Sequence, residues 1–188
     1  MTQAAARDDE YIEPMPKELL KEPLDWLFAE HFRHRQWCRL IETLAKSGIF
    51  DEEALSAAVA FLREDLPLHI LDEEEDLFPL LRRRAVPEDD LERILGILSA
   101  DHRIDQERVT HLLVGLNAAL VAKKAPGLDA DLRALMLDFV TKERRHVALE
   151  NAIVIPLARL RLSAIDLKSL SARLGARRGI PLQDPTNA

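Results

Sequence analysis

The 188-residue sequence contains one cysteine, six glycines and no apolar run approaching the roughly 18 residues that a membrane-spanning helix needs. A single cysteine, Cys38, excludes an internal disulfide. The shortage of glycine, beside abundant Leu, Ala, Glu and Arg, favours long helices with few tight turns. The N-terminal residues lack the apolar segment of a signal peptide, so a cytoplasmic location is expected.

Positive charge is also in deficit, because 26 Lys and Arg stand against 33 Asp and Glu, a formal net charge of −7. A nucleic-acid partner is therefore not expected, and the missing apolar runs argue against a membrane partner. Hydrophobic residues make up 47% of the chain, which is enough for one domain with a core of its own.

Helix start and stop signals predict four long helices and a short fifth. The predicted spans are Pro23 to Lys46, Asp51 to Arg84 with a kink at Pro67, Pro87 to about Lys124, about Asp129 to Leu160, and a short helix from Ser163. Short connections between long helices predict an all-α fold, an up-down-up-down antiparallel four-helix bundle with a short C-terminal helix. The expected organisation is a flexible arm over residues 1–16, the bundle over 17–180 and a tail over 181–188.

Each long helix carries an apolar stripe that turns polar near its middle. On the second helix, for example, the stripe passes from Leu66 through His69 and Glu73 to Leu77. A core helix rarely gives two such positions to a histidine and a carboxylate. The polar members of the four stripes are His31, His69, Glu73, His102, His146 and Glu150.

Chain distances from the turns predict that these polar positions meet. His31 lies 17 residues before Gly48, and His69 lies 18 residues after Asp51. At about 1.5 Å per residue, both lie about 26 Å from that end of an antiparallel pair. The same count of residues from the other two turns places the remaining polar residues at matching heights. All six are therefore expected in one layer of the bundle interior.

The resulting inventory of four imidazoles and two carboxylates suits metal binding. Buried carboxylates without partners cost several kcal/mol, and coordination to first-row metals removes that penalty. The His69–Glu73 and His146–Glu150 pairs each span one helical turn, so both members can reach one site. Four histidines with two bridging glutamates can hold two metal ions, with water, hydroxide or oxide completing the shells.

Two His-x-x-x-Glu pairs, HILDE at 69–73 and HVALE at 146–150, together with His31 and His102, resemble the hemerythrin-like family of His-His-Glu cation-binding domains. The stretches LPLHILDEEEDLFPLL and LSARLGARRGI are also similar to this family, and the resemblance covers about residues 20 to 180. It implies a four-helix bundle holding a non-haem di-iron centre. Its cofactor is two iron ions bridged by carboxylates and by oxo or hydroxo groups, with zinc or manganese as substitutes.

One departure separates this sequence from the oxygen-carrying hemerythrins. Those proteins carry a further ligand histidine one turn after the third-helix histidine, where this chain has Gln106, and an Asp motif late on the fourth helix, where it has Glu150. The resemblance therefore implies the branch linked to iron sensing and to iron–sulfur or nitric-oxide stress rather than oxygen carriage.

The expected function is to bind or respond to iron or to small oxidants, namely O2, NO or peroxide. A sensor of this kind needs a protein partner. One alternative is a di-iron enzyme that reduces peroxide or NO or repairs iron–sulfur centres. Another is iron handling or storage without catalysis.

Three further residues are expected near the metal ligands, and none is assigned a catalytic role. Glu143 forms a Glu-x-x-His pair with His146; ferritin-like oxidases use two such pairs, and only one is found here. Gln106 lies on the predicted stripe, and His34 lies about 60° around the helix from His31. The acidic run 72–76 is expected to face solvent except at Glu73, and His111 is expected on the outside.

Overall fold

Helices dominate the computed structural model, which describes residues 12–182 and contains no strand in that range. The prediction of an all-α fold is thereby confirmed. The helices are α1 (Pro23–Lys46), α2 (residues 52–84), α3 (Leu91–Ala122), α4 (residues 130–161) and α5 (Ala164–Arg177). Short 3-10 turns occupy Lys17–Lys21, Pro87–Asp89 and Pro126–Leu128.

Two of these helices are runs of shorter segments. Helix α2 comprises Glu52–Ala60, Phe61–Asp65, Leu66–Asp72, Glu73–Leu77 and Phe78–Arg84. Helix α4 comprises Ala130–Leu149, Glu150–Val154 and Ile155–Arg161. The segments that begin at Phe61, Glu73 and Glu150 are π-helical turns, with backbone bonds between residues five apart.

Each π-helical turn ends two residues before a proline, namely Pro67, Pro79 or Pro156. A proline ring inside a regular helix clashes with the carbonyl four residues back and leaves it without a donor. The wider turn relieves this clash, so both helices continue through their prolines. At Pro67, where the sequence predicted a kink, the π-helical turn Phe61–Asp65 accommodates the proline.

The helix ends follow the capping signals of the sequence. The Asp51 carboxylate accepts from the backbone N–H of Ala54 at 3.0 Å, and Asp129 caps α4 in the same manner. Ser163 and Asp166 form the capping box expected at the start of α5. Local side-chain chemistry therefore sets where these helices begin.

The core consists of two apolar clusters separated by the polar positions. One cluster includes Trp37, Phe61 and Phe139; the other includes Leu27 and Phe78. On every long helix the predicted metal ligands lie between residues of the first cluster and residues of the second. Each cluster excludes water from one side of the polar layer.

Two ion pairs connect α1 and α4 in antiparallel order. Asp25, near the start of α1, accepts from Arg159 near the end of α4 at 2.6 Å. Glu42, near the end of α1, accepts from Arg144, near the middle of α4, at 2.6 Å. The start of one helix therefore lies beside the end of the other.

Helix α5 packs against α1 and the Lys17–Lys21 turn, where the Ser171 hydroxyl donates to the backbone carbonyl of Leu20 at 2.5 Å. Parts of the predicted arm and tail, residues 1–11 and 183–188, lie outside the described residues. Within the described range, no helix is long and apolar enough to cross a membrane.

Candidate metal centre

Six buried side chains meet in the layer between the two apolar clusters, and none exposes more than 6% of its surface. They are the six predicted ligands His31, His69, Glu73, His102, His146 and Glu150. Their ligand atoms form two groups, each with all atoms within 4.8 Å of one another. His31 and His69 belong to one group, His102 and His146 to the other, and both glutamates to both.

The Glu73 carboxylate points one oxygen into each group. Its Oε1 lies 3.7 Å from Nε2 of His31 and 3.6 Å from Nε2 of His69. Its Oε2 lies 3.4 Å from Nε2 of His102. Glu73 begins a π-helical turn of α2, so the carboxylate leaves the helix where the backbone is locally widened.

The Glu150 carboxylate of α4 also points one oxygen into each group, and Glu150 also begins a π-helical turn. Its Oε2 lies 3.3 Å from Nε2 of His31, and its Oε1 lies 2.9 Å from Nε2 of His146. Two carboxylates that each face both groups have the arrangement needed to bridge two ions.

All four histidines turn Nε2 inward. Nδ1 is hydrogen-bonded on the outer side in His31, His69 and His102, whereas Nδ1 of His146 makes no hydrogen bond. Carboxylate and amide oxygens only accept, so a ring hydrogen-bonded to one donates from Nδ1 and leaves the Nε2 lone pair free for a metal. The outward pairs are His31 with Asn151 (2.8 Å), His69 with Glu30 (3.1 Å), His102 with Glu74 (2.7 Å) and, as a longer contact, His146 with Asp101 (3.6 Å).

These outward partners form a closed ring around the layer. Each is the sequence neighbour of a ligand on its own helix: Glu30 precedes His31, Glu74 follows Glu73, Asp101 precedes His102 and Asn151 follows Glu150. Each contacts the histidine of a different helix. Asn151 of α4 contacts His31 of α1, and Glu30 of α1 contacts His69 of α2. Glu74 of α2 contacts His102 of α3, and Asp101 of α3 contacts His146 of α4. Sequence reasoning missed all four, although a polar residue beside each ligand was the available signal.

The inner atoms of the layer fit a metal because they approach only one another. Both oxygens of Glu73, both oxygens of Glu150 and the Nε2 atoms of His31 and His69 are buried without a hydrogen bond. Such groups are costly when left unpaired. Nitrogen and carboxylate oxygen are the donors that first-row transition metals accept together.

In the protein without metal, protons on the histidines balance the buried carboxylates. Burial disfavours the cation, but the carboxylates of Glu73, Glu30 and Glu150 together outweigh it and raise the pKa of His69 to about 10. Glu150 similarly raises the pKa of His146 to about 10 against the effect of burial. Burial on its own raises the pKa of Glu73, yet His69, His102 and His31 together hold that pKa well below its usual range.

His34 and Glu143 form a second buried pair beside the layer. The His34 Nδ1–H donates to Glu143 Oε1 at 2.5 Å, and the His34 ring centre lies 4.4 Å from that of His69. Burial lowers the pKa of His34, so the ring is neutral at pH 7. Burial alone raises the pKa of Glu143, but the His34 hydrogen bond and the neighbouring histidines together outweigh it and lower the pKa to about 2.

The expectation that Gln106 faces the interior is wrong. Its side chain is exposed, and the buried position on that turn of α3 belongs to Asp105, which is 6% exposed. The buried stripe of α3 continues from His102 through Asp105 to Leu112, so it advances by three residues after His102 rather than four. A helix turns about 100° per residue, and both steps remain within about 60° of His102.

The acidic run at 72–76 also differs from expectation, because Asp72 and Asp76 are buried together with Glu73. Arginines of α5 neutralise them: Arg177 donates to Asp72 at 2.7 Å and also to Asp76. Arg178 donates to Asp72 at 2.6 Å. The acidic run therefore anchors the C-terminal helix.

Arg178 also reaches the metal layer through Glu30. Its Nη2 donates to Glu30 Oε1 at 2.8 Å, while Glu30 Oε2 accepts from His69 Nδ1 at 3.1 Å. The guanidinium lies 4.8 Å from the ring centre of Trp26. Arg178, the residue that follows α5, thus holds one of the carboxylates that orient the ligand histidines.

A cleft of about 260 Å³ opens between α2 and α3 beside the layer. Leu66, Ile70 and Val109 give it mainly apolar walls, and Glu74 lies among its lining residues. Because Glu74 accepts from His102 Nδ1 at 2.7 Å, the cleft comes within one side chain of a predicted ligand.

A family model and one curated relative match this chain. The family model of the hemerythrin HHE cation binding domain matches residues 22–158. A Haemophilus influenzae protein, described only as uncharacterized, is 28% identical over 176 residues, which cover 90% of this chain and 97% of the relative. No solved structure matches significantly. The extent of the family match establishes that the chain belongs to the hemerythrin HHE cation-binding domain family.

Proposed function

We propose that this domain binds two iron ions in the layer between Glu73 and Glu150. The observation that carries the proposal is that both carboxylates belong to both groups of ligand atoms. His31 and His69 would hold one ion, His102 and His146 would hold the other, and Glu73 and Glu150 would serve both. Zinc and manganese accept the same donors, so the metal found in a preparation also depends on supply.

The proposal includes an up-down-up-down arrangement of the four long helices. In addition to the α1–α4 ion pairs, Arg82 near the end of α2 donates to Glu92 near the start of α3 at 3.3 Å. Arg63, in the first half of α2, donates to Asn117 near the end of α3 at 3.0 Å. These pairs support antiparallel neighbours.

The function that this site supports best is to bind or respond to small oxidants such as O2, NO or peroxide. Iron, when bound, supplies the redox chemistry for such molecules. The six ligand residues are buried, and the cleft of about 260 Å³ leads towards His102 by way of Glu74. Its size and apolar walls favour small uncharged molecules. The proposed setting is the cytoplasm, with a protein partner that receives the response.

An enzyme that reduces peroxide or NO is the second candidate, and the His34–Glu143 pair favours it. Neither residue belongs to the two groups of ligand atoms, yet both are buried beside His69. A histidine donating to a carboxylate can hold and pass a proton. Reduction of an oxidant consumes protons, and this pair lies where they are needed.

Metal loading tests the first part of the proposal. After anaerobic loading with ferrous iron and removal of free metal, elemental analysis is expected to give about two ions per chain. The air-oxidised protein is expected to absorb in the near ultraviolet. One ion per chain, or none, contradicts a dinuclear site.

Steady-state turnover separates the two functions. The iron-loaded protein is mixed with peroxide or NO and a reductant, and consumption is followed for many turnovers. Spectral change without turnover supports a sensor, whereas sustained turnover that Glu143→Gln slows while metal content stays the same supports the enzyme. If the protein only handles iron, neither a spectral change nor turnover is expected.

A further inference from the structure

Helix α3 carries a second apolar stripe on the face opposite the core. Six of its residues are Ile97, Ala100, Ile104, Val114, Ala118 and Val121. The larger ones are well exposed: Ile104 is 47%, Val114 68% and Val121 87% exposed. The core-facing residues of the same helix, such as Leu98, Leu112 and Leu116, are fully buried. We call this exposed set, together with Glu107 and His111, the outer stripe.

The spacing of the outer stripe is that of a coiled-coil seam. Steps of three and four residues alternate from Ile97 to Val121, with Glu107 and His111 filling the two central positions. A strict alternation over more than three heptads is the pattern that lets one helix pack lengthwise against another. A helix that needed only its core contacts requires a single apolar face.

The outer stripe is complementary to itself when a second copy lies antiparallel. With the two-fold axis beside Val109, residue numbers that sum to 218 face each other. Ile97 then meets Val121, Ala100 meets Ala118, and Ile104 meets Val114, each across the interface. Large residues meet large ones and small residues meet small ones, as a closed two-fold interface requires.

The central polar pair selects this orientation. In the antiparallel arrangement Glu107 of one copy faces His111 of the other, and the pair occurs twice about the axis. A parallel, in-register pairing sets Glu107 against Glu107, which places like charges together at the centre of an apolar seam. Polar residues at single seam positions set register and orientation in this way.

We propose that two copies of this chain associate through the outer stripe of α3, antiparallel, with Glu107 opposite His111 of the second copy. The metal layer lies on the opposite face of α3, where His102 points inward. Association therefore leaves the metal centre of each copy unobstructed.

Sedimentation velocity over a range of concentrations measures the association directly. The unaltered chain is expected to form dimers as concentration rises. Val114→Lys is expected to abolish them, because a charge then enters the seam opposite Ile104. Leu160→Lys, which alters an equally exposed apolar residue of α4 (70% exposed), is the matched control and is expected to leave the dimer intact.

Mixing two charge variants tests the register. Glu107→Lys sets Lys against His111 in its homodimer, and His111→Glu sets Glu against Glu107, so each variant alone is expected to be monomeric. A mixture of the two restores an attractive pair at both positions, and native mass spectrometry is expected to detect the heterodimer. Glu64→Lys, on the exposed side of α2, controls for the charge change.

Three results overturn the proposal. The unaltered chain can stay monomeric at all concentrations, in which case another occupant covers the stripe. The dimer can survive Val114→Lys, in which case it forms elsewhere. The mixed variants can fail to pair although the unaltered chain dimerises, in which case the antiparallel register is wrong. Circular dichroism establishes that each variant is folded.

Discussion

The Nε2 atoms of His102 and His146 lie 3.0 Å apart, although the two residues belong to different helices. Two nitrogens held about 2.1 Å from one ion at a right angle are about 3.0 Å apart, so this spacing fits a shared metal. Without metal, a proton between the rings maintains the contact, since two facing lone pairs repel. Metal and proton therefore compete for one position.

Metal binding is accordingly expected to release protons and to weaken as the pH falls. The pKa of His69 and that of His146 are each raised to about 10, so both rings are protonated at pH 7, and a metal binds only the neutral ring. Calorimetric titration in buffers of different ionisation enthalpy counts the protons. At least one proton per ion is expected at pH 7, and a count of zero contradicts the competition.

The same protons stabilise the metal-free fold. The folded-state pKa of about 10 for His146 exceeds the ordinary value of about 6.5, so the stabilisation is complete below about pH 6.5 and is lost as the pH rises through 10. The free energy of unfolding of the metal-free chain is expected to fall between pH 7 and pH 10, by on the order of a few kcal/mol. Urea unfolding at both pH values measures it.

Two controls accompany this pH series. His146→Gln is expected to reduce the fall in the free energy of unfolding, whereas His111→Gln, at an exposed position, is expected to preserve it. The metal-loaded protein is expected to lack most of the fall, because its ions have already replaced the protons. An equal slope in the metal-free and loaded proteins would count against the assignment.

Three consecutive glutamates provide a graded test of the bridge. Glu73→Ala is expected to lose both ions, because its two oxygens face both groups. Glu74→Ala is expected to weaken binding roughly 10- to 100-fold, because His102 loses the acceptor of its Nδ1–H. Glu75→Ala, at an exposed position, is expected to bind normally. Binding isotherms rank the variants, and any other order indicates a different helix register.

Arg178, the residue that follows α5, is expected to influence the ion held by His69. Arg178→Met removes the positive charge that contacts Glu30, and Glu30→Gln weakens the acceptor of the His69 Nδ1–H. Both are expected to lower the affinity for one ion by about tenfold or more and leave the other nearly unchanged. Two-site metal titrations resolve this difference, which general destabilisation does not produce.

The matched control for this pair is Arg159→Met, which breaks the Arg159–Asp25 ion pair far from the layer. An exposed ion pair contributes little to stability, so normal binding of both ions is expected. Equal weakening of both ions in Arg178→Met would show that α5 acts on the whole fold rather than on His69.

Sequence alone predicted the helices and the meeting of the six residues because both depend on local spacing. The turn at Ser47–Gly48 and the break at 125–130 fixed the helix lengths, and helix lengths fixed the height of His31 and His69. The outward partners Glu30 and Asn151 were missed because each contacts a histidine of another helix. Helix rotation, which decides such contacts, is set by packing.

Long-range partners explain the misread acidic run. Asp72 and Asp76 look like solvent-exposed residues until Arg177 is known to lie beside them, more than 100 residues later in the chain. Burial of a carboxylate costs several kcal/mol unless such a partner neutralises its charge. No local pattern at 72–76 indicates that such a partner exists.

The choice between Asp105 and Gln106 leads to the last prediction. Oxygen-carrying relatives have a histidine one turn after the third-helix ligand, and the sequence pointed to Gln106 as its counterpart. Gln106 is exposed, whereas Asp105 is buried, and besides burial the charge of Glu143 raises the pKa of Asp105. A fifth histidine therefore reaches the layer from position 105 and not from position 106.

The visible spectrum during cycles of air and argon tests this geometry. The unaltered ferrous protein is expected to oxidise in air without reversing under argon, because four histidines leave exchangeable positions on the iron. Gln106→His is expected to behave identically, whereas Asp105→His is expected to change the spectrum and slow the oxidation. Asp105→Asn separates the gain of an imidazole from the loss of a carboxylate. A spectral change in Gln106→His as large as that in Asp105→His would mean that α3 is rotated from the orientation described, and a reversible cycle in the unaltered protein would make oxygen binding, rather than response to oxidants, its activity.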